Sequence, residues 1–337
     1  MHAGGAGATA RAAGGRSDAH ARTRSRGACG EPLSLHRLRG NPARSLREGR
    51  RGPLITVHSP RTLEEAVEHL ARTPGLVPVA GCTDLMAAGG FPSAGGLLDV
   101  TRIAEIGRVE REDAWVKIGA AASFARIEAS EIVRAAFPVL AMAAATVGGT
   151  QVRNRATLGG NLANASPAGD SLPALLALGA EIVAVGPDGL RSIPHDAFHT
   201  GYRKTALAPG EIIAWVRIPL EGHGAAPSPE IQRFRKVGTR RAQAISKVTL
   251  ALAASREGKN GPLSRVRLAA GSVADRPVRL RKAEEVLEGA LPGEKVAGAV
   301  EAAARAEVCP IDDVRSTATY RLHVLGRVAR RMVLSIE

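Results

Sequence analysis

Apolar positions along this chain change period twice, and the two changes divide it. Ile55 to His58 reads as a short strand closed by Pro60. Thr62-Leu63-Glu64-Glu65 follows as a capping box, with Thr62 the N-cap and Glu65 reaching back. Leu63, Ala66, Val67 and Leu70 then share one helical face, and Pro74-Gly75 stops the helix. Leu76 to Ala80 is a short apolar run of strand type that ends at Gly81, so the fold opens on a βαβ unit. Leu97 to Val100 and Trp115 to Ile118 predict further strands. Ser123 caps a short helix, and Phe137 to Ala145 predicts an apolar one. Pro173 to Leu178 reads as a helical turn or short helix. Glu181 to Val185 and Ile212 to Ile218 read as strands, with Gly186-Pro187-Asp188-Gly189 a turn between them.

Residues 221–229, EGHGAAPSP, have linker composition, and the pattern changes after them. Ile231 to Lys236, Ile245 to Ala254 and Leu263 to Ala270 predict three strands. Val266, Leu268 and Ala270 alternate with Arg265 and Arg267, as in a half-buried antiparallel sheet. Helices follow at about 279–289, 294–307 and 317–335, the last with an apolar stripe at Leu322, Leu325, Ala329 and Met332. Three strands and then three helices make an α+β domain. The predicted division is therefore a tail at 1–52, a first domain at 53–222 and a second at 228–335.

Two glycine loops carry the candidate chemistry. Residues 146–170 read TVGGTQVRNRATLGGNLANASPAGD. Gly148-Gly149 and Gly159-Gly160 predict two paired-glycine turns, whose successive N–H groups suit a phosphate. Thr157 and Asn161 add a hydroxyl and an amide. Residues 76–86, LVPVAGCTDLM, repeat the scheme as strand, glycine, hydroxyl and carboxylate. A single glycine pair is more often a structural turn than a ligand cradle, and Asp170 reads equally well as an N-cap ahead of Ser171-Leu172-Pro173. Neither the G-x-G-x-x-G nor the G-x-x-x-x-G-K-[ST] pattern occurs, so the usual nucleotide folds are not indicated.

AGCTDLM and RNRATLGGNLANASPAGD resemble the flavin-binding subunit of molybdenum hydroxylases, the xanthine dehydrogenase and aerobic carbon monoxide dehydrogenase group. There the loops read roughly A-G-G-T-D-L and R-N-x-A-T-x-G-G-N-x-x-x-A-S-P-x-x-D. The second matches at nearly every fixed position; the first departs at Cys82, where the family usually has glycine. The resemblance covers about residues 54–335. It implies a two-lobed FAD-binding domain of the PCMH type, followed by a C-terminal domain of an antiparallel three-stranded sheet with a helical bundle. It implies FAD as cofactor, held by Val79, Ala80, Gly81, Cys82, Thr83, Asp84 and Leu85 on one side. Thr157, Leu158, Gly159, Gly160 and Asn161 stand on the other, with Asp170 a further contact. FRKVGTRRAQAISKV matches a family run that places Lys247 near the flavin, where a cation raises its potential. By residue type alone, Lys247 reads equally as a strand lysine with its head in water. Arg235, Lys236, Arg240 and Arg241 read as a solvated face or docking surface. Tyr202 and Arg203 fall where the chain would approach the flavin or a partner, and Tyr320 and Arg321 are candidates for subunit contact.

The function implied is an FAD-carrying electron-transfer subunit, xanthine dehydrogenase-like at Ile245-Ser246-Lys247-Val248. It would pass electrons from iron–sulfur clusters on a 2Fe-2S subunit through FAD to NAD, oxygen or another acceptor, while a molybdenum-cofactor subunit oxidises the substrate. A stand-alone FAD-dependent oxidoreductase of the same fold is the alternative.

Composition narrows these readings. The 337 residues carry a net charge of +14, and eleven arginines against three carboxylates before residue 53 account for +8 of it. That Ala/Gly/Arg-rich tail has too few large apolar residues to offset its ordering entropy, which predicts disorder. It has no apolar core of a secretory signal, and no run of about 18 apolar residues predicts a membrane helix. A basic tail also suits nucleic acid, but that reading leaves both glycine loops unexplained. The three cysteines form no C-x-x-C pair, so no metal centre or Cys-ligated cluster is expected here, and the count suits a cytoplasmic protein. No paired carboxylates, Ser-His-Asp order or H-E-x-x-H motif is present, and no catalytic side chain is assigned. A flavin that does the chemistry needs only to be held and tuned.

Overall fold

The computed structural model describes residues 55–90, 95–220, 229–256, 258 and 260–336. The expected disorder of residues 1–52 and most of the linker at 221–229 lie outside them. The described residues belong to one unit, Glu48–Glu337.

A three-stranded parallel sheet opens the fold, made of β1 (Val57–His58), β2 (Val77–Val79) and β3 (Leu97–Asp99) in the order β1-β3-β2. Helix α1 (Leu63–Arg72) starts where the capping box requires. Thr62 Oγ1 accepts from the Glu65 N–H at 3.2 Å, and Glu65 Oε2 accepts from the Arg61 N–H at 2.7 Å. Leu63 and Ala66 of α1 are buried with Leu98 of β3. Helix α2 (Thr83–Ala87) follows β2 directly and contains no buried residue.

The second lobe is a five-stranded antiparallel sheet. Strands β4 (Val109–Glu112) and β5 (Trp115–Gly119) form its first hairpin, and Ser123 Oγ then caps α3 (Phe124–Ala129). Helices α4 (Glu131–Ala136) and α5 (Pro138–Ala145) lead into the glycine-rich stretch. That stretch is largely helical where two paired-glycine turns were expected. It forms α6 (Thr150–Arg153), α7 (Leu158–Asn164) and α8 (Ser171–Leu178), every residue of α8 being buried. Strands β6 (Glu181–Gly186) and β7 (Gly189–Pro194), the turn α9 (His195–Phe198), the hairpin β8 (His199–Gly201) and β9 (Lys204–Thr205), and β10 (Ile212–Pro219) complete the lobe. Its order is β4-β5-β10-β6-β7. Phe124, Leu140, Leu158, Leu172 and Val216 share its core.

The second domain has four strands where three were expected. These are β11 (Ile231–Val237), β12 (Val248–Arg256), β13 (Leu263–Gly271) and β14 (Val278–Arg279), paired antiparallel in sequence order. Two residues show no alternation, so β14 was invisible in the pattern. Strand β12 begins at Val248 and not at Ile245, because residues 238–247 form a loop. Helices α10 (Arg281–Leu287), α11 (Glu294–Ala306) and α12 (Ala318–Leu334) close over one face, with Leu325, Ala329 and Met332 buried against Leu250, Leu252 and Leu268. Among the described residues no helix is long and apolar enough to cross a membrane.

Candidate cofactor site

The first glycine loop leaves β2 at Val79 and turns at Cys82, whose φ of 58° and ψ of 10° are left-handed. A side chain there costs about 1–2 kcal/mol, which explains why the related pattern has glycine. Burial and the Asp99 carboxylate push the Cys82 thiol up, against the pull of the Arg155 guanidinium. Among the described residues, no protein acceptor meets the N–H groups of Gly81, Cys82, Thr83 and Asp84. Four successive N–H groups around a left-handed turn are the donor set a phosphate needs. Gly81 has no room for a side chain, since a Cβ would lie 1.9 Å from the Arg155 carbonyl oxygen. The two loops therefore touch main chain to main chain.

The second loop does something other than expected. Gly159 and Gly160 are the second and third residues of α7, and neither has positive φ. Its leading N–H groups are already engaged. Leu158 donates to Ala122 O at 3.1 Å and Gly159 to Ala120 O at 2.8 Å; Gly160 donates to Thr157 Oγ1 at 3.1 Å and Asn161 to Thr157 O at 3.0 Å. No nest is left there for a phosphate. The glycine at 159 serves close approach, because a Cβ would lie 2.6 Å from Ala120 Cβ. Thr157 is the N-cap that sets the helix, Leu158 is buried under it, and the Asn161 amide oxygen accepts from Ser171 Oγ at 2.8 Å. In the first pair, Gly148 takes φ 50° and Gly149 is the N-cap of α6.

Asp170 is buried, and each of its oxygens accepts from a protein donor. Lys236 Nζ lies 2.5 Å from Oδ2, and Ser246 Oγ donates to Oδ1. Asp170 caps nothing, for its backbone is itself helical (φ −68°, ψ −34°) and its side chain makes no capping bond. Burial pushes the carboxyl up, opposed by Lys236, Ser246 and Thr146. Lys236, expected on a solvated face, is instead the cation of this buried pair, with Thr146 O a second acceptor at 2.9 Å. Arg240 bonds the Ala242 and Gln243 carbonyls of its own loop.

Lys247 follows Ser246, and its ammonium lies 4.9 Å from the Tyr320 ring centroid. Arg321 is 3% exposed and holds the Lys247 and Ser272 carbonyls and Asp313, so it is a strut of the second domain and not a surface contact. Asn164, at an unassigned position of the motif, was missed. Its Nδ2 donates to Asp84 Oδ2 at 2.9 Å and its Oδ1 accepts from Arg203 at 3.3 Å. Among the described residues no cluster of three or more His, Cys, Asp or Glu could hold a metal ion.

His199 supports α7 from below, its Nε2 lying 3.1 Å from Leu162 O, and His195 stacks edge-on against it at 5.4 Å. Both rings are buried, and burial lowers the pKa of each, His195 strongly, with His199 a second cause there. The unfolded chain binds protons near the ordinary histidine value of about 6.5, where the folded chain does not. Stability from this pair is thus full above that pH and lost as pH falls toward the lowered folded values. A His195→Leu variant should show a flatter loss of unfolding free energy between about pH 7 and 5 in denaturant titrations.

Residues 53–221 match the family described as the FAD binding domain in molybdopterin dehydrogenase, and residues 233–336 match the CO dehydrogenase flavoprotein C-terminal domain. The putative xanthine dehydrogenase FAD-binding subunit of Escherichia coli K12 is 30% identical over 82% of this chain and 94% of its own length. The carbon monoxide dehydrogenase medium chain of Hydrogenophaga pseudoflava is 30% identical over 83% of this chain and 96% of its own. The solved carbon monoxide dehydrogenase of that organism aligns with a TM-score of 0.78 at 29% identity, over 84% of this chain and 97% of the other. Quinoline 2-oxidoreductase from Pseudomonas putida 86 aligns at 0.76 with 26% identity, over the same shares of the two chains.

Proposed function

The chain belongs to the FAD-binding subunits of the molybdenum hydroxylases, and on that premise we propose that it is the electron-outlet subunit of a xanthine dehydrogenase-like complex. When bound, FAD supplies a two-electron store between one-electron donors and an acceptor such as NAD or oxygen. The partners are a molybdenum-cofactor subunit and a 2Fe-2S subunit, and the setting is cytoplasmic. The observation that carries the reading is the set of free N–H groups at Gly81, Cys82, Thr83 and Asp84. These would hold the pyrophosphate, with Val79, Ala80 and Leu85 shaping that wall. Thr157, Leu158, Gly159, Gly160 and Asn161 would form the other wall by packing and not by donating main-chain N–H groups. Asp170 positions this wall against the second domain, and Lys247 would act on the flavin from there. The domains are 53–222 and 228–335, with 1–52 a basic tail.

A reconstitution experiment tests this. Chain loaded with FAD should oxidise no substrate alone, and should be bleached anaerobically only when partners and their substrate are added. Turnover by the isolated chain would instead establish a stand-alone oxidoreductase. The strained Cys82 gives a second test. Cys82→Gly relieves about 1–2 kcal/mol of left-handed strain, offset in part by about 0.5–1 kcal/mol of unfolded-chain freedom. It should bind FAD at least as tightly as the natural chain by flavin fluorescence.

A further inference from the structure

The segment that offers its N–H groups to the cofactor packs against Arg155 at Gly81 but makes few hydrogen bonds to the rest of the fold. Helix α2 buries no residue, and the hydrogen bonds of residues 81–90 otherwise stay within their own stretch of chain. Among the described residues, one hydrogen bond ties this segment to the rest of the fold, from Asn164 Nδ2 to Asp84 Oδ2 at 2.9 Å. Asn164 stands on the last turn of α7, and the left-handed Ala165 (φ 48°) that ends the helix fixes where it sits. Its other amide atom, Oδ1, accepts from Arg203 at 3.3 Å, from the tip of the β8–β9 hairpin. Asp84 requires a donor and Arg203 an acceptor, so only one orientation of the amide serves both. Arg203 thereby holds the NH₂ toward Asp84.

We propose that Asn164 is a positioning residue that seats the 81–85 loop for FAD, through Asp84 and with its amide oriented by Arg203. This rests on the reading that the loop meets the cofactor. Asn164 bridges three chain segments that are far apart in sequence, and among the described residues no other side chain hydrogen-bonds both Asp84 and Arg203. An aspartate at 164 would keep the Arg203 contact and repel Asp84, so the two halves of the bridge can be separated.

The test uses full-length chain stripped of flavin, with FAD affinity and dissociation rate followed by flavin fluorescence and unfolding followed without cofactor. Asn164→Ala should weaken FAD binding about tenfold, through faster dissociation. Asn164→Asp should weaken it further, and Arg203→Met less than either. The unfolding midpoint of the flavin-free chain should stay at the natural value in all three, since Asn164 serves a loop that contributes little to the core. Natural affinity in Asn164→Asp would overturn the proposal, as would a loss of stability that parallels the loss of affinity. Natural chain that takes up no FAD would overturn the functional reading itself, before any variant is compared.

Discussion

Gly81→Ala is expected to cost this protein its cofactor while leaving most of its fold. The added Cβ would stand 1.9 Å from the Arg155 carbonyl oxygen, 2.6 Å from its carbon and 3.0 Å from Ala156 Cα. All three are main-chain atoms of the segment entering α7, which is pinned by the Ala156, Leu158 and Gly159 hydrogen bonds to Val152, Ala122 and Ala120. That side cannot give way cheaply, so the 81–85 loop must. Overpacking of this kind costs about 1–3 kcal/mol. Expressed as affinity, that is about ten- to a hundredfold, carried by the displaced N–H groups. The checks are FAD affinity, which should fall, and circular dichroism, which should not change.

Lys236→Met should produce the largest loss of stability. Asp170 and Lys236 are 7% and 11% exposed at their side chains and lie 2.5 Å apart. Removing one partner of a buried pair leaves an uncompensated charge, typically worth about 3–5 kcal/mol. The loss should depend on pH. Burial already raises the Asp170 carboxyl, and without Lys236 it rises further. A carboxyl whose folded pKa lies above its unfolded one supports the fold below the unfolded value and loses that support as pH rises through the folded value. The variant should therefore be least stable at neutral pH and recover as the pH falls. Adding Asp170→Asn should restore part of the loss at neutral pH, because the buried charge is gone. Denaturant unfolding at two pH values reads both effects. Equal destabilisation of the single and double variants would show that packing, and not charge, holds the site.

The glycine loops were legible from their residue types, and their cofactor through the family those loops resemble. What they do locally was less so. A glycine pair signals either left-handed backbone or missing space, and the sequence does not separate the two. At Cys82 the left-handed turn is occupied by a cysteine, while Gly159 has no unusual φ and exists to let α7 reach Ala120. Lys236 was misplaced although a signal was present. Gln232, Phe234 and Lys236 share one face of β11 by their period of two. Phe234 packs against the core of the first domain and the Gln232 side chain bonds the Ala136 carbonyl, so the parity of Phe234 points Lys236 inward. Asn164, Ser246 and Arg321 act mainly through partners 39 to 80 residues distant in no repeating pattern, as with the 80-residue separation of Asn164 from Asp84, and only folding brings such pairs together. The short β14 is a strand solely because β13 lies beside it.

The most direct measurement is to add FAD to the flavin-free, full-length chain and record the visible spectrum, then denature the complex and identify what is released. One FAD per chain, with flavin bands near the usual ~450 nm and uptake abolished or severely weakened by Gly81→Ala, is the expected result. A chain that stays colourless, or that takes up FAD equally well with alanine at position 81, would contradict the assignment of the 81–85 loop as the seat of the cofactor.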